Sequence, residues 1–254
     1  LPEVKVGNLN ISYAVGGGPA PDKTAVVLVH GAGGTHHVWR HQLGLDVPGF
    51  YQVAVELPGH GRSAGEGCTT IGDYREFLSD FIAAAGLGRV VLAGHSMGGA
   101  IALDFALNCP DLLRGLVLVG TGARLRVAPF VLEAVQKGEA RTLVRYAYAP
   151  GTDPALIAEA EKEFHLTPAG VRYNDFLACD RFDVMGRLGE IRTPTLILCG
   201  EEDLLTPVKY ARYLEANIPG ARLVTIPAAG HMLMWEQPEA VNRALAEFLT
   251  GLPR

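Results

Sequence analysis

The chain has 254 residues, 48% of them apolar and 19% charged, which is enough apolar sequence for one large core; α/β chains of this length commonly form one domain. A net charge of −5, with no basic run and no aromatic-basic platform, argues against a nucleic acid or an anionic membrane as partner. No window approaches about 18 uninterrupted apolar residues, and Leu1 to Ile11 carries Glu3, Lys5 and Asn8. Neither a membrane span nor a signal peptide is therefore expected, and a cytoplasmic location is. Gly16-Gly17-Gly18-Pro19 reads as a turn between early strands, since no G-x-x-x-x-G-K pattern makes it a phosphate loop. From Ala25 the pattern predicts a strand (25–29), a loop with a helix near 36–44, a strand (51–56), a helix (71–86), a strand (89–93), a helix (97–109) and a strand (115–119). It resumes with a strand (195–199), a helix (208–217), a strand (222–226) and a last helix (238–250). Alternation of this kind predicts a mainly parallel sheet with helices on both faces. Continuous runs such as Ala25-Val26-Val27-Leu28-Val29 fit strands covered on both sides.

Between Gly122 and Arg192 the alternation stops. Four helices are predicted there, Pro129 to Lys137, Glu139 to Tyr148, Pro154 to Phe164 and Pro168 to Cys179, with proline at or near three of the starts. The expected organisation is thus one domain over residues 1–254 with a helical insertion at 122–192. No internal repeat or low-complexity linker interrupts it.

The stretch that carries most chemistry is Gly94-His95-Ser96-Met97-Gly98, set between an apolar strand and a helix. A sharp turn in that context holds its central serine out at the end of the sheet, and the flanking glycines remove Cβ atoms that would collide with the neighbouring strand and helix. A serine hydroxyl needs a base, and the base an orienting acid. Asp203, in Gly200-Glu201-Glu202-Asp203 after a strand, is the expected acid, with Glu201 and Glu202 as alternatives should the loop register differ. His231, in Ala229-Gly230-His231-Met232 after the next strand, is the expected base. Asp180 and Asp183 lie in the insertion and are set aside. His60 is expected to brace its loop by hydrogen bonds. His30, His36, His37 and His41 cluster, but lack the spacing of a zinc site, so no metal is expected; His36 or His37 is placed at the cleft. Cys68, Cys109, Cys179 and Cys199 read as free thiols, none of them a nucleophile.

Five motifs in order are similar to those of the α/β-hydrolase fold superfamily: His30-Gly31-Ala32-Gly33-Gly34, Leu57-Pro58-Gly59-His60-Gly61-Arg62-Ser63, the Ser96 turn, the Gly200 to Asp203 loop and Gly230-His231. The resemblance covers residues 24–121 and 191–250. It implies that fold, with a mainly parallel central sheet and a helical cap inserted after the sixth strand. It also implies an oxyanion hole made by the backbone N–H of Met97 and, by position, that of Ala32, with Gly33 as the alternative. Gly31, Gly33 and His95 are placed around the substrate, although the His95 side chain itself is expected to point away from the site. Phe130, Val131 and Tyr146 are expected to line an acyl pocket under the cap, with Val127, Leu143 and Phe176 as further candidates. The implied activity is that of a serine carboxylesterase acting on a small-molecule ester, with Ser96, Asp203 and His231 catalytic and no cofactor. Ser96 argues against relatives with an aspartate nucleophile. Carbon-carbon bond hydrolases of ring-cleavage products stay open, because Met97-Gly98-Gly99 and His231 to Trp235 are similar to theirs, although His95 stands where many have asparagine. Lactonase, perhydrolase and acyltransferase chemistry stay open too, as does a ligand-binding receptor on the same fold. Oligomeric state is not legible.

Overall fold

A computed structural model of the chain describes residues 1–137, 139 and 141–253, the side chains of 141–143 excepted. Eight strands form one sheet: β1 (Glu3–Val6), β2 (Leu9–Gly16), β3 (Thr24–Val29), β4 (Phe50–Val55), β5 (Val90–His95), β6 (Leu113–Val119), β7 (Thr195–Gly200) and β8 (Arg222–Ile226). Their spatial order is β1-β2-β4-β3-β5-β6-β7-β8. The opening hairpin is antiparallel, and β2 joins β4 antiparallel; every pairing from β4 to β8 is parallel. The helices are α1 (Ile71–Ala84), α2 (Met97–Asn108), α3 (Pro129–Gln136), α4 (Arg141–Tyr146), α5 (Pro154–Phe164), α6 (Ala169–Arg181), α7 (Val208–Asn217), α8 (Leu233–Glu236) and α9 (Pro238–Thr250). None of the described helices is long and apolar enough to cross a membrane.

Side chains alternate across a strand, so each continuous apolar run serves two cores. On β3, Ala25, Val27 and Val29 join the core under α1, α2 and α7, whereas Val26 and Leu28 join the one under Trp39, Trp235 and α9. Every residue of β3, β4 and β5 is buried. Full burial of one such aliphatic side chain contributes about 1.5–3 kcal/mol, so these three central strands are firmly held.

Several boundaries differ from the sequence reading. The helix expected near 36–44 contracts to a single 3-10 turn, His36–Trp39, whose start is capped by the Thr35 side chain. Trp39 and Val38 from this turn plug the second core, and the chain then continues in turns. The helix expected from Glu139 to Tyr148 is the shorter α4, because Ala147 and Tyr148 leave the helix, and the Ala147 carbonyl accepts from Met232 N–H at 3.1 Å. The short α8 after His231 was not foreseen; four residues are too few to display a helical period.

Strand order fixes where a site can form. The chain runs from β3 to β4 on one side and then returns to place β5 on the other side of β3. Ligand sites in open α/β sheets lie outside the carboxyl ends of strands at such a switch point. The loop after β3 (His30 to Thr35) and the turn after β5 (Ser96) open at that crevice, and all four helices α3 to α6 follow from the end of β6.

Candidate active site

Ser96 closes β5 and opens α2 at φ +54, ψ −115, a left-handed conformation that L residues seldom adopt. Two glycines make room for it. A Cβ on Gly94 would fall 2.0 Å from the Gly98 carbonyl oxygen, and one on Gly98 would fall 2.3 Å from that of Val29. The turn is held by Ser96 N–H donating to Val119 O at 2.9 Å and by the Thr121 hydroxyl donating to Ser96 O at 2.8 Å. Ser96 itself is half-buried and faces a cavity of about 340 Å³.

His231 faces the same cavity, and its Nδ1 lies 2.9 Å from Asp203 Oδ2. Because a carboxylate only accepts, Nδ1 carries the proton and the neutral ring keeps its lone pair on Nε2. Asp203 is buried at the end of β7, and its other oxygen accepts the backbone N–H groups of Leu205 and Thr206, both at 2.8 Å. The Thr206 hydroxyl donates to Oδ2 at 2.7 Å. Burial works against the Asp203 charge, yet the facing His231 and then the Thr206 bonds hold its carboxyl well below the usual carboxylate range. Glu201 and Glu202 stay exposed, and Asp180 accepts from Val127 N–H at 3.0 Å, so none of these competes for His231. Thr206 is a contributor that sequence reasoning passed over, although its spacing three residues after Asp203 is a local signal. Glu236 was also missed. It accepts from Gly230 N–H and from Ala149 N–H, each at 2.8 Å, and so ties the turn bearing His231 to the chain leaving α4.

The expectation that the His95 side chain points away is corrected. It lines the cavity and donates from Nε2 to the His231 carbonyl at 3.0 Å, its ring 4.6 Å from the His231 ring. Burial, and then His231, push the His95 pKa down to about 3, so it is a neutral hydrogen-bond donor. His30 is likewise neutral: it donates from Nδ1 to Gly31 O at 2.8 Å and accepts Leu57 N–H at Nε2 at 3.2 Å. Its pKa is driven well down by burial and by His60. Of the two loop amides weighed for the oxyanion hole, Gly33 N–H is engaged, donating to Asp175 Oδ2 at 2.8 Å. Ala32 is not drawn into that bond and lines the cavity.

The rest of the cavity wall is mostly apolar, with Thr35, Arg126 and Glu163 among the polar exceptions. Val127 and Val131 line it from the start of the helical insertion, Phe164 and Phe176 from α5 and α6, Leu204 and Leu205 from the loop after β7, and Trp235 from α8. Gly31 lines it against Ser96, and Gly33 lines it against Phe164. Phe130 and Tyr146 do not. They are 68% and 52% exposed, on the outer surface. On α3 the inward face holds Val131 and Val135, and residue 130 lies about 100° round the helix. Tyr146 stands two positions, roughly 200°, from the inward Val144. The Leu143 side chain falls outside the described residues. His37 reaches the rim, bonded to Glu163 at 3.0 Å, whereas His36 turns to Glu56 at 2.7 Å. No cluster of metal-ligating side chains occurs among the described residues. The four cysteines are free, and burial pushes the Cys68 and Cys199 thiols up to about 12, so neither supplies a thiolate at neutral pH.

Known proteins are similar to this chain along nearly its whole length. A putative carbamate hydrolase RutD of Caulobacter sp. (strain K31) is 30% identical over 255 residues, spanning 94% of this chain and 95% of the relative. A 2-hydroxy-6-oxo-6-phenylhexa-2,4-dienoate hydrolase of Burkholderia cepacia is 27% identical over 255 residues, spanning 89% of this chain and 88% of that one. Among solved structures, a thermophilic esterase superposes with a TM-score of 0.88 at 33% identity, over 99% of this chain and 98% of its own. The model of the alpha/beta hydrolase family matches residues 26–244, and the chain belongs to that family.

Proposed function

We propose that this protein hydrolyses carboxylic esters by a two-step acyl transfer, with Ser96 as nucleophile, His231 as base and acid, and Asp203 as the group that orients His231. The observation that carries this reading is the convergence of a serine in a left-handed turn and an Asp203-anchored imidazole on one apolar cavity. His231 Nε2 takes the Ser96 proton as the oxygen attacks the ester carbonyl. The negative charge that develops on the carbonyl oxygen is met by the N–H groups of Met97 and Ala32. Met97 begins α2, where backbone N–H groups have no carbonyl a turn earlier and the helix dipole favours negative charge. One such donor is worth about 3 kcal/mol of transition-state stabilisation. The tetrahedral intermediate collapses as His231 returns the proton to the leaving alcohol, leaving Ser96 acylated. Water, deprotonated by the same Nε2, then releases the acid and restores the serine. The reading calls for no cofactor.

The largely apolar wall favours uncharged esters with a compact apolar acyl group. Steady-state hydrolysis of p-nitrophenyl esters from acetate to decanoate, run beside Ser96→Ala, tests this. The expected result is rapid multiple turnover that the variant loses by about 10⁴ to 10⁶-fold. A variant that kept its rate would refute the assignment. The resemblance to a dienoate hydrolase supports a second reading, carbon-carbon bond cleavage by the same residues. Wild-type protein whose Ser96 is labelled by an organophosphate, but which turns over ring-cleavage products and not esters, would favour it. Labelling with no turnover of either would favour a receptor.

A further inference from the structure

We infer that Asp175, on α6, is a positioning residue for this proposed reaction: with His60 it locks the loop after β3 so that the Ala32 amide, and not that of Gly33, faces the reacting carbonyl. The inference rests on the ester-hydrolase reading for its kinetic consequence, but the lock itself is a matter of geometry.

One fully buried carboxylate gathers three parts of the chain. Asp175 Oδ2 accepts Gly33 N–H from the loop after β3, and it also meets His60 Nε2 from the loop after β4, both at 2.8 Å. Its Oδ1 accepts the Tyr74 hydroxyl from α1. The other ring nitrogen of His60, Nδ1, faces the Pro58 carbonyl at 3.0 Å. Both nitrogens of His60 therefore face atoms that only accept, so both carry protons and the ring is an imidazolium. Burial opposes that charge, but Asp175 together with the Pro58 and Leu57 backbone outweighs it and raises the His60 pKa. Around the pair, His30 lies tilted against His60 at 4.7 Å as a neutral ring, Tyr74 is a phenol, Cys68 is a thiol, and Arg172, one turn before Asp175, donates to the Phe164 carbonyl at 2.8 Å.

The consequence for the site follows from counting donors. A loop amide aimed at a buried carboxylate cannot also serve a developing oxyanion, so the bond to Asp175 removes Gly33 from the oxyanion hole and fixes the peptide that follows Ala32. His30, bonded to Gly31 O and Leu57 N–H, fixes the peptide before it. Phe176, the next residue on α6, lines the cavity, so a single helix sets both the acyl wall and the oxyanion geometry.

The test combines spectroscopy with kinetics. In ¹⁵N NMR of the wild-type protein at pH 8, His60 is expected to show protons on both ring nitrogens, and Gly33 a slowly exchanging amide. Asp175→Asn, which weakens the acceptor for Gly33, is expected to lower kcat on p-nitrophenyl esters by about tenfold or more while KM stays within about twofold, and to slow phosphonylation of Ser96 in parallel. His60→Gln leaves the Gly33 acceptor in place and is expected to lower kcat less. A singly protonated His60 in the wild type overturns the proposal, even if Asp175→Asn fails to fold. So does a folded Asp175→Asn with unchanged kcat, or with a loss confined to KM. Wild-type protein inactive on every ester would count against the hydrolase reading instead, and the NMR and phosphonylation results would still decide the lock.

Discussion

The backbone at Ser96 allows the strain in the turn to be separated from the chemistry of its hydroxyl. At φ +54 and ψ −115 the residue lies outside the conformations open to side-chain-bearing residues, and holding one there costs on the order of 1–3 kcal/mol. Ser96→Ala removes the hydroxyl and keeps the Cβ, so the strain remains. Ser96→Gly removes both. The extra freedom of glycine in the unfolded chain takes back about 0.4–1 kcal/mol, which leaves the glycine variant about 1 kcal/mol more stable than the alanine one. Unfolding a chain of 254 residues changes entropy by about 0.5 kcal/mol per kelvin, so the difference is about 2 °C in Tm. Paired thermal scans at one heating rate would measure it, together with urea unfolding followed by the fluorescence of the buried Trp39 and Trp235. Both variants are expected to be inactive. A glycine variant no more stable than the alanine one would refute the argument and mean that the turn around Ser96 is relaxed.

Acid should destabilise the fold through His95. It is neutral in the folded chain with a pKa of about 3, whereas the unfolded chain protonates it near 6.5. The unfolded state thus binds the extra proton, and the stability present above pH 6.5 falls by about 1.4 kcal/mol per pH unit on the way down. Urea titrations at pH 6, 5 and 4 should show that slope reduced by one proton in His95→Asn; an unchanged slope would mean the histidine is charged in the fold. Native-state hydrogen exchange should find the amides of α6 among the slow ones and those of α3 and the start of α5 faster; the reverse order would contradict the anchoring described below.

The sheet was legible because strands buried on both faces leave uninterrupted apolar runs, and β3, β5 and β7 were located from those runs alone. The placement of Ser96, Asp203 and His231 at strand ends was legible because each sits in a loop at the end of such a run, beside glycines or acids that mark a turn. Contacts across the fold were not legible. Asp175 meets Gly33 over 142 residues of sequence and His60 over 115, and nothing near it distinguishes it from any polar residue on a helix. His95 was misread for a related reason: where its ring points depends on the carbonyl of His231, 136 residues away. Phe130 and Tyr146 show the limit for short helices. Eight- and six-residue segments with apolar residues on more than one side do not reveal which side meets the cavity.

The inserted helices are held unequally. On α6, Asp175 makes buried, charge-assisted bonds to the loop after β3 and to the loop after β4, each of a kind worth about 1.5–3 kcal/mol. The same helix sends Asn174 to the Glu66 carbonyl at 3.1 Å and Arg181 to that of Thr69 at 3.3 Å. The links from α5 to the rim are the partly exposed pairs His37–Glu163 and Arg40–Glu159, a class worth about 0–1 kcal/mol apiece. On α3, Val135 is the buried residue and Phe130 stands in solvent. Displacing α5 would break the bond from the buried Arg172 to the Phe164 carbonyl and uncover Ala160, whereas displacing α6 would unseat Gly33 and leave His60 a buried, unpaired cation. The helical insertion is thus bound to the sheet loops chiefly through α6, the helix that holds Gly33 and His60, and α5 is tied to it through Arg172.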